Sequence, residues 1–383
     1  MSTEHTESPA PKRRRGLTRF MFLLTLGGVF SLLLCYLVFH VRPSDVGYFA
    51  LIAFLYPLIL AINIGFVVYW MLRKKYRKMM VPALAVVLGF SHVTDWFQIS
   101  TNSVVEAGDQ EIKVMTWNVH LFGLYDFDNN VRTRNAMFDV LDEEEADILC
   151  MQEFFHADDK DYFQTRDTLT EFLPSRYYHE RYTASPRRHH YFGVIIFSRY
   201  PIVKRGHIPF ESDANNYCIY ADVKVGDDTV RVYNAHLQSV RLGKQDYEVV
   251  EENTESQELK EGSFRIMRKV RRALIRREDQ VERIMEHIAQ SPHRAVLCGD
   301  FNDPPHSWSY NRFEDLLEDS FTEGGNGLSN TFNHKAFPPL RIDYILHSPG
   351  IRTLEYRRRS EDLSDHFPVI TRLAVQQNHR ASG

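Results

Sequence analysis

Ala295-Val296-Leu297-Cys298-Gly299-Asp300-Phe301-Asn302 is the stretch that decides how this chain folds and where its chemistry gathers. The apolar run forms a strand. It ends on Asp300 and Asn302, which stand two apart, so both side chains reach one face. An Asx-type turn before Pro304-Pro305 accounts for Asp303 better than for Asp300. Similar polar tips recur: Thr116-Trp117-Asn118, Gln152-Glu153, Asn234-Ala235-His236, Arg341-Ile342-Asp343-Tyr344 and Ser364-Asp365-His366. Nearly all follow β-forming runs. Any one alone reads as a turn. Gathered at one end of a sheet, they offer carboxylates and amides to a hard cation and two imidazoles for proton transfer. That is equipment for cutting a phosphate ester with metal help.

The order Asn, Glu, His, Asp-x-Asn, Asp, Asp-His resembles the endonuclease/exonuclease/phosphatase superfamily. This deoxyribonuclease-I-like group includes abasic-site endonucleases, neutral sphingomyelinases and inositol-phosphate phosphatases. The match runs from Ile112 to Leu373. Its most specific pieces are Gly299-Asp300-Phe301-Asn302, Arg341-Ile342-Asp343-Tyr344-Ile345-Leu346 and Leu363-Ser364-Asp365-His366-Phe367-Pro368-Val369.

The resemblance implies a site. Glu153 binds the catalytic Mg2+, with Mn2+ as an alternative ion, Asn118 lies beside it, and Asp365 reaches the metal. Asp300 positions or deprotonates the attacking water, and Asn302 binds the phosphate. His366 pairs with Asp343, which fixes its tautomer and raises its basicity. That ring either stabilises the charged phosphorane or takes a proton from water. His236 serves as general acid or phosphate ligand, and the period of two puts Asn234 on its face, so Asn234, His236 and Asn302 are the expected substrate contacts. The deoxyribonuclease and sphingomyelinase branches carry this His and the abasic-site endonucleases do not. Asn330-Thr331-Phe332 lies near the site in relatives. The histidines His120, His156 and His334 show no partner in the sequence.

Short β-rich runs lie at Ile112–Val119, Ile148–Gln152, Phe192–Ser198, Tyr217–Val223, Val230–His236, Ala295–Phe301, Ile342–His347 and Pro368–Leu373. Helical patterns lie at Val131–Glu145 and Phe264–Ala289, with a shorter one near Ser307–Leu317. This mixture predicts a layered α/β domain over 111–375, with 376–383 as a polar tail. The resemblance narrows it to a four-layer α/β/β/α sandwich of two packed mixed sheets.

The front of the chain obeys different physics. Lys12, Arg13, Arg14, Arg15 and Arg19 make 1–19 basic, and Phe20 to Phe39 then carries no charge. Val46 to Leu72 is a second uncharged stretch, ending beside Tyr69 and Trp70 and followed by Arg73, Lys74, Lys75, Arg77 and Lys78. Both are long enough to span a bilayer and neither has a polar face. A cleaved signal peptide does not fit, because a second apolar stretch follows and no small-residue cleavage site stands out. Met79 to Ser100 is expected to be a shorter third span. Two or three transmembrane helices thus fill 20–100. The basic clusters belong in the cytoplasm; a spanning third stretch puts the catalytic domain outside it, and one that only lies along the surface leaves the domain cytoplasmic.

The net charge of −4 hides an asymmetry. Residues 1–110 hold 11 of the 46 basic and 6 of the 50 acidic residues, so 111–383 carry 35 against 44, a formal −9. Sequence-independent binders of long nucleic acid usually present net positive charge, so this balance tilts away from duplex DNA. Arg187, Arg188, His189 and His190 form a positive loop. Arg241 to Gly262 is an acidic insertion before a basic helix start, read either as a lid or lipid-facing patch or as an acidic loop folded onto a solvated basic helix. Cys35, Cys150, Cys218 and Cys298 show no metal-ligand spacing. The expected function is a membrane-anchored, Mg2+-dependent phosphodiesterase or phosphatase acting on nucleic acid or a phospholipid or sphingolipid head group. The alternative is an inactive, membrane-tethered scaffold.

Overall fold

The uncharged stretch after Arg19 is helical in α1 (Lys12–Phe39). After α2 (Pro43–Val46) and a 3-10 segment, Gly47–Leu55, the second stretch forms α3 (Tyr56–Leu72). The computed structural model describes residues 12–100, 106, 108–126, 129–158, 163–182, 189–210, 216–251, 256–334 and 339–377. Arg187, Arg188, Glu252, Glu255 and residues 378–383 therefore lie outside the described residues. Gly16–Phe39 and Pro43–Leu72 are each long and apolar enough to cross a membrane. Leu23, Phe30, Leu37, Leu58 and Leu72 are exposed along them. Buried Trp70 donates its indole N–H to Thr25 Oγ1 at 2.9 Å, and Asn63 donates to the Gly28 carbonyl at 3.0 Å.

The third stretch forms α4 (Tyr76–Leu88), with Pro82 inside it, and α5 (Phe90–Thr94), separated at Gly89. The 13 residues of α4 reach only about 20 Å, short of a hydrocarbon core. In series the two helices run beside α1 in the same direction. Lys78 Nζ sits 4.6 Å from the Phe22 ring at one end, Tyr36 donates to the Ala85 carbonyl at 3.2 Å, and His92 meets Phe39 at 5.0 Å between centroids at the other end. The basic turn at 73–78 thus lies at the end where α1 begins, and the chain leaves α5 at the opposite end.

There follow β1 (Phe97–Ile99), β2 (Asp109–Asn118), α6 (Asn130–Glu144), β3 (Ile148–Ala157), α7 (Thr165–Phe172), β4 (Tyr177–Tyr182), β5 (His190–Ser198), β6 (Ile202–Ile208), β7 (Tyr217–Val225), β8 (Asp228–His236), α8 (Lys244–Glu251), α9 (Ser256–Ala289), β9 (Arg294–Asp300), α10 (Trp308–Glu314), β10 (Glu318–Asp319), α11 (Ser320–Gly324), β11 (Asn326–Leu328), β12 (Asp343–His347), β13 (Ile351–Arg358) and β14 (Val369–Gln376). Two six-stranded mixed sheets result, ordered β13-β14-β2-β3-β5-β4 and β10-β12-β9-β8-β7-β6. The pairs β2/β3 and β8/β9 are parallel and the other neighbours are antiparallel. β1, within the stretch expected to belong to the membrane segment, pairs with β11 instead.

Alternation along the strands sets the layers. Ile148 and Cys150 of β3 face Val296 and Cys298 of β9 in the core between the sheets. Leu149 and Met151 point the other way, under Met137, Val140 and Leu141 of α6 and Leu169 of α7. Leu297 and Tyr233 likewise pack under Val281, Ile284 and Met285 of α9 and Phe313 of α10. The fold is the α/β/β/α sandwich. The four cysteines are buried and free. In the acidic insertion, buried Asp246 of α8 binds Arg265 at 2.8 Å and Lys269 at 2.5 Å, so that part does fold back onto the basic helix.

Candidate active site

Both parallel pairs end at the same edge of the sandwich, and the polar tips meet there. Asn118, ending β2, donates its side-chain N–H to Asp300 Oδ2 of β9 at 3.0 Å. Asp300 is 1 % exposed, and its other oxygen accepts the Asn302 amide N–H at 2.9 Å. His366 Nδ1 lies 2.9 Å from Asp343 Oδ2, and its Nε2 lies 3.7 Å from Asp300 Oδ2. His236 Nε2 is 3.7 Å from the same Asp300 oxygen and 3.9 Å from Glu153 Oε1. That nitrogen is buried with no hydrogen-bond partner among the described residues.

The backbone is strained where these groups emerge. Nine described non-glycine residues have positive φ, and five of them, His120, Leu121, Phe122, Glu153 and Asn302, surround this edge. The β3/β5 register shifts between Met151 and Phe154, and this irregularity turns the half-exposed Glu153 carboxylate out of an otherwise buried strand. Gly299 has φ +143°, and a Cβ there would stand 1.9 Å from the Ala235 carbonyl oxygen. A glycine before Asp300 is what lets β9 press against β8.

The electrostatics follow from burial and like charge. Burial, aided by the nearby Asp343 carboxylate, raises the Asp300 pKa; His366, His236 and Asn118 oppose the rise. Burial disfavours charge on His366, but Asp343 and Asp300 overcome it and hold its pKa well above the usual value. Asp365 pays desolvation too, yet the hydrogen bond from His120 and the nearby His366 bring it down to about 2.

The nine expected residues separate into three positions. Asp300, Asn302, Asp343, His366 and His236 gather at the edge. Their ligand atoms include a triad, Asp300, Asp343 and His366, all within 4.8 Å of one another. The expected metal set was different: Asn118, Glu153 and Asp365. Both Asp343 oxygens face His366 Nδ1, at 2.9 and 3.1 Å, so that triad reads as a held proton rather than a ligand cage. Glu153 and Asp365 keep partly exposed carboxylates, and both favour charge on His120 between them. Two such oxygen donors beside an amide fit a hard divalent cation.

Asn234 is the correction. It is fully buried, its N–H groups donate to the Met151 and Ile195 carbonyls at 2.9 and 2.8 Å, and its oxygen accepts from Gln152 at 2.7 Å. It ties the two sheets together and has no atom left to contact a substrate.

Sequence reasoning missed His120, whose Nδ1 lies 3.2 Å from Asp365 Oδ1. Its position just past the Asn118 strand end was the available signal. It also missed Arg277, wholly buried, which donates to the Asn302 carbonyl at 2.8 Å and pairs with Asp303 at 2.8 Å. Thr331 lies near the site as expected, and its Oγ1 accepts the Ile342 and Asp343 amides at 2.9 and 3.0 Å.

A model of the Endonuclease/Exonuclease/phosphatase family matches residues 115–366. A second, described as a domain of unknown function, matches residues 18–96. No curated protein matches the chain. An endonuclease/exonuclease/phosphatase from Beutenbergia cavernae DSM 12333 shares 20 % identity over 70 % of this chain and 72 % of its own, with a TM-score of 0.50. The human Nocturnin catalytic domain with bound sulfate anion shares 17 % over 69 % and 93 %, with a TM-score of 0.49. The mannosyl-6-phosphatase of Bacteroides thetaiotaomicron VPI-5482 shares 20 % over 68 % and 99 %, with a TM-score of 0.45. The first of these likenesses shows a shared fold.

Proposed function

This chain belongs to the Endonuclease/Exonuclease/phosphatase family, and from that premise we propose that it is a membrane-anchored hydrolase of phosphate esters, most simply a phosphodiesterase. The observation that carries this reading is the imidazole of His366, 2.9 Å from Asp343 and 3.7 Å from Asp300, facing the unpartnered Nε2 of His236 across the same Asp300 oxygen.

The roles follow from that arrangement. Asp300, whose pKa burial raises, takes a proton from the attacking water. His366, charged and clamped by Asp343, donates to the oxygen where negative charge grows at phosphorus. One side-chain N–H of Asn302 is fixed on the Leu237 carbonyl at 3.1 Å, so its second N–H holds the phosphate, and His236 Nε2 protonates the leaving alkoxide. Glu153 and Asp365, with Asn118 beside them, would hold Mg2+ or Mn2+, which when bound polarises a phosphoryl oxygen.

The membrane reading rests on the two long apolar helices and on the end-to-end packing of α1, α3 and α4–α5. The basic turn at 73–78 lies with the start of α1, and the domain joins at the far end. Cationic loops stay cytoplasmic, so the domain lies outside the cytoplasm of a multi-pass protein. The anchor meets the domain at loops leaving the catalytic strand ends: Trp96 donates to His306 Nδ1 at 2.8 Å, and Arg341 donates to the Asp95 carbonyl at 2.9 Å. A substrate lying in or near the bilayer, a lipid head group before a duplex nucleic acid, suits that placement.

The test is product release from plasmid, oligonucleotides, inositol phosphates and phospholipid and sphingomyelin vesicles by the full chain, with and without Mg2+. Hydrolysis of an ester that EDTA stops is expected. Silence across all of them would instead make the chain a tethered scaffold.

A further inference from the structure

The face of α9 that meets the anchor does not stop where the anchor stops. Glu282 pairs with Arg42 at 3.0 Å, Glu278 accepts from Ser44 at 2.9 Å, and Arg271 lies over the Tyr48 ring at 5.2 Å. These positions recur at helical spacing, seven then four apart, so they share one side of the helix. One turn and two turns before Arg271 the same side carries Arg268, Met267 and Phe264. Phe264 is 63 % and Met267 38 % exposed. No described residue covers them.

The charges divide in the same way. Arg265 and Lys269 are spent on Asp246 and Arg277 on Asp303. Among the described residues Arg268, Arg271 and Arg272 form no ion pair, and Arg268 and Arg272 are exposed. With Tyr48 and Ile275 they line a cavity of about 340 Å³. Two exposed apolar side chains beside three uncompensated guanidinium groups, on a helix braced against the segment that enters the apolar anchor, make an interfacial surface. Guanidinium forks match phosphate oxygens in pairs.

We propose that the Phe264, Met267, Arg268, Arg271 and Arg272 side of α9 docks on the phosphate head groups of anionic phospholipids in the leaflet next to the domain, a proposal that rests on the membrane-anchored reading above. Phe264 and Met267 enter the acyl boundary while the arginines engage phosphates. The net negative domain would otherwise be repelled by such a surface.

The test uses the full chain in lipid nanodiscs of phosphatidylcholine alone or with about one third phosphatidylglycerol, read by amide hydrogen exchange. Backbone at 259–276 should exchange more slowly with the anionic lipid, by about fivefold for each arginine engaged. The variant Arg268→Glu/Arg271→Glu/Arg272→Glu should remove that difference while leaving exchange in β9 and β14 unchanged, which controls for folding. Equal exchange in both discs overturns the proposal. So does slowing caused by a single-stranded oligonucleotide in neutral discs and not by phosphatidylglycerol, which would make the surface a nucleic-acid one. Protection of α1 and α3 reports insertion separately, and its absence sinks the anchoring reading and this docking with it. Ester hydrolysis is measured apart, so loss of activity alone leaves the docking result standing.

Discussion

Trp96 donates its indole N–H to Nδ1 of His306 at 2.8 Å, and their rings stack at 5.4 Å between centroids. His306 lies four residues past Asn302, so the joint ties the last residues before the domain to the loop leaving the candidate site. Trp96→Ala should lower the midpoint of thermal unfolding and reduce turnover several-fold, while Trp96→Phe, which keeps the ring, should cost only about 1 kcal/mol for the lost hydrogen bond. Unchanged turnover in Trp96→Ala would mean that the joint is a tether and nothing more.

The same histidine gives a pH dependence. Burial, with His92 nearby, pushes the His306 pKa down to about 3. The folded chain therefore keeps His306 neutral where the unfolded chain, at about 6.5, takes up a proton. Its stability is complete above pH about 6.5 and falls as pH drops toward 3, by up to about 1.4 kcal/mol per unit. Chemical denaturation across that window should show the slope, and His306→Gln should flatten it.

Glu144 also loses its contribution as pH falls, over a lower window and for a different reason. Burial opposes its charge, yet Arg357, Arg359 and Lys113 surround its carboxylate and bring its pKa down to about 2. A carboxylate so depressed stabilises above the unfolded value of about 4.5, and the contribution is lost as pH falls toward 2. Glu144→Gln should destabilise by about 3 kcal/mol at neutral pH, measured as a urea midpoint. The penalty should shrink below pH 4.

Removing Glu153 should separate chemistry from folding. Its carboxylate is half-exposed, and among the described residues its contact is His236 Nε2 at 3.9 Å. Glu153→Ala should lose at least about a hundredfold in turnover, in line with removal of one electrostatic stabiliser. Its unfolding curve should stay in place. Full activity at ordinary Mg2+ would refute the metal assignment.

His366→Asn and Asp343→Asn should each lower the rate by about 10²–10⁴. The double variant should be little worse than either single one, because the two groups act as a unit. His287→Ala, on the outer helix against Tyr233 at 2.9 Å, is the control and should turn over at nearly the full rate.

What could be read in the sequence was what sits centrally. Strands β2, β3, β8, β9 and β12 are buried and apolar, so their runs stand out. Besides the two- and three-residue strands β1, β10 and β11, the missed ones, β4 (Tyr177–Tyr182), β6 (Ile202–Ile208) and β13 (Ile351–Arg358), lie at sheet edges. Each is half-exposed and charged, as edge strands are, so no apolar run marks it. In the site, the period of two correctly put Asn234 and His236 on one face. It could not show that the face is sealed between sheets at Asn234 and open at His236, about 6.6 Å further along. The His120–Asp365 contact joins residues far apart in the chain, and no local pattern announces it.

On the membrane-anchored reading proposed above, the contacts of the domain with Arg42, Ser44 and Trp96 would fix its height and orientation above the bilayer. An enzyme held that way would not sample bulk solution. Its encounters would be collisions within a plane, and under that reading its velocity should follow the number of target molecules per unit of surface. Diluting the target with inert lipid should slow it, even when the total amount in the tube is constant.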